Sequence, residues 1–200
     1  MKTIAQKLAG TLVLGLLSLV GFGQTGYTTV TYSPSFPLGE STLSVNRSDW
    51  RGVGVETGIF LSKRFSLGVS GNWHAFYQPA GETAVRTRDN TTYAGQGFRY
   101  VNAVPIFATG HYYFGNGNGL TPYVGVGAGT IYRRYDILVG GYDFRRSGWQ
   151  FGLFPELGLQ YAVGPGVRFG VNARYNYGFE NGNVARSSYL NANVGLTFTY

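Results

Sequence analysis

From Trp50 to the C-terminus, apolar and polar residues alternate with a period of two, the mark of strands with one apolar and one polar face. Phe65, Leu67, Val69, Trp73, Ala75 and Tyr77 share one face, and Ser66, Gly68, Ser70, Asn72 and His74 the other. The pattern returns where Val167, Phe169, Val171, Ala173, Tyr175 and Tyr177 oppose Arg168, Gly170, Asn172, Arg174 and Asn176. It returns again at the end, where Leu190, Ala192, Val194, Leu196, Phe198 and Tyr200 oppose Asn191, Asn193, Gly195, Thr197 and Thr199. Eight strands are predicted, near 27–33, 50–61, 65–77, 99–114, 121–135, 148–162, 167–178 and 188–200. The first is short and runs into Pro34 and Pro37, and the fourth, with Pro105, leaves its facing open. No stretch carries a helical period. Most of the strands exceed the ~5–6 residues usual in soluble sheets and match the ~9–11 that cross a bilayer at a tilt.

The connections alternate in length. Ser62-Lys63-Arg64, the 115–119 run of Gly and Asn, and Gly164-Pro165-Gly166 are tight-turn sequences. Polar loops are expected near 34–49, 79–98, 136–147 and 179–187. Short turns on one rim and long loops on the other mark a barrel threaded through an outer membrane, with the turns periplasmic. Register agrees: pairing Val163 with Val167 sets Glu156 against Arg174 on the polar face, and pairing Leu61 with Phe65 sets Val53 against Trp73 on the apolar one.

Composition separates a membrane barrel from its soluble rival, a calycin-type barrel with the apolar face inward. Charged residues make up only 12% of the 200 residues, glycine numbers 32, and mean hydropathy is −0.06. A polar face that mixes Glu56, Glu156, Arg168 and Arg174 with Gly52, Gly54, Gly58, Gly152, Gly158 and Gly170 is too sparsely charged to face water. It suits the tight interior of an eight-stranded barrel, where small residues make room for large ones. The opposite face carries aromatics near strand ends, among them Trp73, Tyr77, Trp149, Tyr161 and Tyr200, as interfacial girdles do.

The first 23 residues are read as a secretory leader: Lys2 and Lys7, an apolar run from Leu8 to Val20, then Gly21-Phe22-Gly23 before the cut. The domain reading is therefore a signal peptide over 1–23 and one barrel over 24–200. Without Lys2 and Lys7 the 16 basic residues fall to 14 against 9 acids, a charge of +5 carried almost wholly by Arg. These Arg residues are scattered, so the charge indicates a surface field and no nucleic-acid partner. Cysteine is absent, which excludes disulfides, thiol nucleophiles and Cys-ligated metals.

The last strand, Tyr-Leu-Asn-Ala-Asn-Val-Gly-Leu-Thr-Phe-Thr-Tyr, closes alternating apolar residues on a terminal aromatic. Here the chain resembles the small OmpX/OmpW-like outer-membrane β-barrels. The resemblance implies an all-β, eight-stranded antiparallel up-and-down transmembrane barrel in a Gram-negative outer membrane. It also implies that Leu196, Phe198 and Tyr200 carry the signal read by the barrel-assembly machinery.

Candidate chemistry is sparse. Glu56 and Glu156 are the acids placed mid-strand and inward, and a lumen ion-pair network with Arg168, Arg174 and Arg133 is expected, because an unpaired buried carboxylate is expensive. The alternative is a paired-carboxylate proton site. His74 and His111 are read as ordinary strand residues. Outer-membrane lipid-A deacylases carry a serine two residues after the catalytic histidine, and here those positions hold Phe76 and Tyr113. Gly125-Val126-Gly127-Ala128-Gly129 lacks the spacing of a nucleotide loop and reads as inward glycines. Arg86, Arg88, Arg145, Arg146 and Arg186 fall in the predicted loops and are candidate contacts for lipopolysaccharide phosphates and carboxylates. No catalytic, cofactor or metal site is expected. The function that follows is a non-enzymatic envelope barrel whose loops meet surface lipid, lipopolysaccharide or an extracellular protein. The alternative is a conduit for small apolar molecules, which inward bulk at Phe60, Phe76 and Phe154 disfavours.

Overall fold

The computed structural model describes residues 25–38, 48–86, 92–115, 119–139, 142–182 and 184–200, so the leader expected over 1–23 lies outside the described residues. The strands are β1 (Gly26–Tyr32), β2 (Ser35–Pro37), β3 (Val53–Ser62), β4 (Phe65–Arg86), β5 (Thr92–Tyr113), β6 (Leu120–Val139), β7 (Tyr142–Gly164), β8 (Val167–Gly178) and β9 (Ser187–Thr199). β1 and β3 to β9 pair antiparallel in order, and β9 returns to β1, so eight strands close a ring. β2 carries the first strand on past Ser33-Pro34, pairs with β9, and is bridged on its other side from Ser35 to Asp49. At the seam the Gly26 N–H donates to the Tyr200 carbonyl at 2.8 Å, and the Tyr200 N–H to the Gly26 carbonyl at 3.0 Å. Closure removes the sheet edges that a bilayer cannot hydrate.

Glu156 faces Arg174 and Val53 faces Trp73. The turns are tighter than the sequence suggests. Register shifts between Phe60 and Ser62 and between Ala162 and Gly164, so Leu61 and Val163 are absorbed in bulges. Two-residue turns remain at Lys63-Arg64 and Pro165-Gly166, and Gly166 takes the left-handed φ of +69° that a Cβ would resist.

The apolar face points outward. Val126 and Leu157 are 65% exposed, whereas Glu156 and Arg174 are 5% exposed. A water-soluble barrel would reverse that arrangement, and hydrocarbon supplies the missing apolar surroundings. The facing left open for the Pro105 strand is settled: Val101, Phe107, His111 and Tyr113 point in, and Tyr100, Ile106 and Tyr112 point out. Tyr112, Tyr161 and Tyr200 stand at the rim that carries the short turns, and Trp73, Tyr100 and Trp149 stand toward the other. Among the described residues no helix is long and apolar enough to cross a membrane.

Two of the predicted loops are strand. β4 and β5 remain paired out to Arg86 and Thr92, and β6 and β7 out to Val139 and Tyr142. Polarity in these segments marks departure from hydrocarbon, which does not end a ladder: backbone groups above the lipid pair with each other as readily as with water. One bulge, between Pro79 and Gly81, interrupts the longer hairpin. Below it Tyr77 stacks on Phe98, with ring centroids 6.3 Å apart, and meets Tyr100 at 4.9 Å. Such cross-strand aromatic pairs stabilise a ladder by roughly 0.2–1 kcal/mol each. The β8–β9 connection, by contrast, is a loop as expected.

Candidate functional site

The lumen is built in layers. In the half nearer the turns, inward positions of four strands bring together Glu56 (β3), His111 (β5), Glu156 (β7) and Arg174 (β8). Arg174 Nε donates to Glu156 Oε2 at 2.6 Å, and Arg174 Nη2 reaches Glu56 Oε2 at 3.5 Å. His111 stands between the carboxylates, with Nδ1 3.5 Å from Glu56 Oε1 and Nε2 3.6 Å from Glu156 Oε1. The Tyr27 hydroxyl donates to Glu56 Oε1 at 2.8 Å and the Tyr123 hydroxyl to Glu156 Oε1 at 2.9 Å. Asn172 Nδ2 donates to the Tyr123 hydroxyl at 3.0 Å. Each carboxylate thus has a cation and a phenol, which offsets its desolvation. A cavity of about 30 Å³ between these groups has room for one water.

Small residues on the neighbouring strands create the space. A Cβ at Gly125 would come within 2.5 Å of the His111 ring, and one at Gly158 would run into the Tyr123 ring. The Arg174 guanidinium lies 4.0 Å above the centre of the Phe154 ring, so the edge of the cation is paired with carboxylates and one face is covered by an aromatic.

That ring begins the second layer. Phe76, Val101, Ala103, Phe107, Ile131, Phe154 and Tyr189 pack into a fully buried apolar cluster across the bore. Phe107 meets Phe154 edge-on with centroids 5.1 Å apart, and a Cβ at Gly127 would overlap Phe154. Beside this plug a chain of small polar groups ties the first strand to β9. Ser35 Oγ lies 2.8 Å from His74 Nδ1, Asn191 Nδ2 donates to Ser35 Oγ at 2.6 Å, and Asn176 bonds Asn191. Ser35 and His74 are buried at 0% exposure, so this serine–histidine contact is walled off from any substrate.

At the outer mouth the β8–β9 connection folds inward. Val184 is buried against Gly148, and the Ala185 carbonyl accepts from Arg133 Nη1 at 3.4 Å. On the outside of the wall, level with the hairpins, Asp136 accepts from Arg134 Nε and Arg145 Nε, with nearest contacts of 2.9 Å each.

The residues singled out from sequence are distributed as follows. Glu56, Glu156 and Arg174 meet in the lumen. Arg168 lies nearer the turn, opposite Ala162 and Thr197, and makes no ion pair with either glutamate among the described residues. Arg133 sits in the outer half, away from both. Arg145 and Arg146 belong to β7 and Arg86 ends β4, so these three are strand and not loop residues, because the hairpin ladders continue above the lipid. Arg186 is exposed in the connection before β9, and Arg88 lies outside the described residues. Leu196 and Phe198 line the outer face of β9, the seam strand, and Tyr200 follows it, exposed. His111 was missed, since the facing of its strand was open. The signal lay across the wall, where Gly125, Gly127 and Gly129 of β6 leave room for large partners on β5 and β7.

The arrangement is matched by known proteins. A family model described as the outer membrane protein beta-barrel domain matches residues 5–198. The chain superposes on Neisserial surface protein A with a TM-score of 0.56 at 17% identity, covering 89% of this chain and 97% of that one. OprG from Pseudomonas aeruginosa gives 0.56 at 14% identity, covering 88% and 96%. Ail of Yersinia pestis, solved with the heparin analogue sucrose octasulfate, gives 0.54 at 12%, covering 88% and 99%. At these identities the likeness is one of fold. No curated protein matches the sequence.

Proposed function

Because this chain belongs to the outer membrane protein β-barrel domain family, which places it in the outer membrane of a Gram-negative bacterium, we propose that it serves there as a non-enzymatic surface-interaction protein. The observation that carries this reading is the filled bore. Phe76, Phe107, Ile131, Phe154 and Tyr189 are each at most 1% exposed and pack together across the barrel. What the protein offers its surroundings is therefore its outside: an apolar wall for lipid and long hairpins above it.

Lipopolysaccharide is the partner assigned to those hairpins. Arg134 and Arg145 both pair with Asp136 beside the aromatic rim, and their guanidiniums are substantially exposed there. Arg146 and Arg186 add exposed guanidiniums at the same end. Guanidinium groups form bidentate, charge-assisted contacts with phosphate and carboxylate. Residues 1–23 serve as the export leader, and the outward side chains of Leu196, Phe198 and Tyr200 serve as the docking signal for assembly. An extracellular protein ligand would use the same hairpins.

The test is binding of lipopolysaccharide to the purified barrel and to an Arg134→Ala, Arg145→Ala, Arg146→Ala, Arg186→Ala variant. Affinity is expected to fall at least tenfold in the variant, and equal affinity would overturn the assignment. Planar-bilayer recording addresses the conduit reading: steady single-channel conductance from the unaltered chain would favour it over a filled bore.

A further inference from the structure

One buried charge in the barrel is left over. Arg133 is 1% exposed, and its Nε and Nη2 have no hydrogen-bond partner among the described residues. Nη1 reaches only the Ala185 carbonyl, at 3.4 Å. The Tyr135 ring lies 4.8 Å from the guanidinium carbon, which favours the cation without neutralising it. Every described acid nearby is engaged elsewhere: Glu56 and Glu156 by Arg174 and His111, and Asp136 by Arg134 and Arg145. A second group independently lacks a partner in the same half of the lumen. Among the described residues the Tyr189 hydroxyl, on a side chain 1% exposed, makes no hydrogen bond, and neither does Nε2 of His74, whose ring lies 5.6 Å from that of Tyr189. Proteins do not leave a guanidinium out of water without a counter-charge, because desolvation of an unpaired ion is among the largest penalties in a fold.

We propose that Arg133 is the centre of a binding site for a small inorganic anion inside the outer mouth of the barrel. Arg133 supplies the charge and two N–H donors, and the Tyr189 hydroxyl supplies a further donor. The Ala185 carbonyl, in the connection before β9, meets the same guanidinium at the extracellular end of the lumen, the end from which an anion would reach it. This site is separate from the exposed Arg residues assigned to lipopolysaccharide, so either assignment can fail alone.

The test uses the mature chain folded in detergent micelles, with the urea unfolding midpoint measured in sodium chloride and in sodium gluconate at equal ionic strength. Gluconate, a much larger and more diffuse anion, serves as the comparison. A ligand held only by the folded state lowers the unfolding constant by the factor 1 + [L]/Kd, about a hundredfold at a concentration of 100 Kd. The midpoint is expected to be higher in chloride for the unaltered chain, and the difference to vanish in Arg133→Met. Equal midpoints in the two salts, or an undiminished difference in Arg133→Met, would overturn the proposal. Tyr189→Phe keeps the cation and removes one donor, so it serves if Arg133→Met does not fold. Its half-saturating chloride concentration is expected to rise several-fold, and an unchanged value counts against the site.

Discussion

The two layers of the lumen close the same bore by opposite means. Near the turns, closure rests on charge: two carboxylates, an arginine and a histidine from four strands, each carboxylate placed within ion-pair distance of the arginine and the imidazole. In the outer half it rests on volume, with aromatic and branched side chains filling space that glycines on β6 and β7 leave open. A charged layer fails abruptly when one member is lost, because the remainder stays buried without compensation. A packed layer fails in proportion to the volume removed. Four substitutions rank these modes.

The largest effect is expected from Arg174→Met, which strands Glu56 and Glu156 together in the lumen and should cost about 3–5 kcal/mol. Urea titration followed by the mobility shift between unheated and boiled gel samples measures it. Adding Glu56→Gln and Glu156→Gln to that variant should recover most of the loss, because removing a whole buried ion cluster is often neutral. Failure to recover would show that the layer acts through shape and not charge. Next, Phe107→Ala should cost about 3 kcal/mol through the cavity it opens beside Phe154. Unlike Arg174→Met, it should not be rescued by any change of charge. Gly127→Ala tests the same layer from the other side. Its Cβ would overlap the Phe154 ring, and overpacking of this kind costs about 1–3 kcal/mol in the same titration. The smallest effect belongs to Asp136→Asn on the outer wall, below about 1 kcal/mol, because Arg134 and Arg145 are substantially exposed and water screens the pair. A loss there as large as that of Arg174→Met would remove the distinction between buried and exposed pairing.

How legible these layers are in the sequence follows from how each face is marked. Glu156 and Arg174 could be set opposite each other because β7 and β8 alternate cleanly, and a slip of one residue would have moved both into lipid. His111 could not be placed, because β5 carries apolar residues on both faces: Val101 and Phe107 inward, Val104 and Ile106 outward. An apolar plug erases the polar marking that identifies an inward face. The hairpins above the lipid were hidden for the opposite reason. Both of their faces are polar or mixed, so alternation ends where hydrocarbon ends although pairing does not. The role of Arg168 was misjudged because parity gives direction but not depth, and six residues along a strand carry a side chain well away from Arg174.

The wall is also uneven in a way that bears on how it opens. β4 and β5 are joined by nineteen register pairs, whereas β1 and β3 are joined by seven, and the first strand meets β9 in nine, six from β1 and three from β2. A cylinder stitched so unequally behaves as a tapered zipper. Thermal fluctuation would part it first between Gly26–Tyr32 and Val53–Ile59, and amide exchange would spread from that seam round both sides toward the long hairpin.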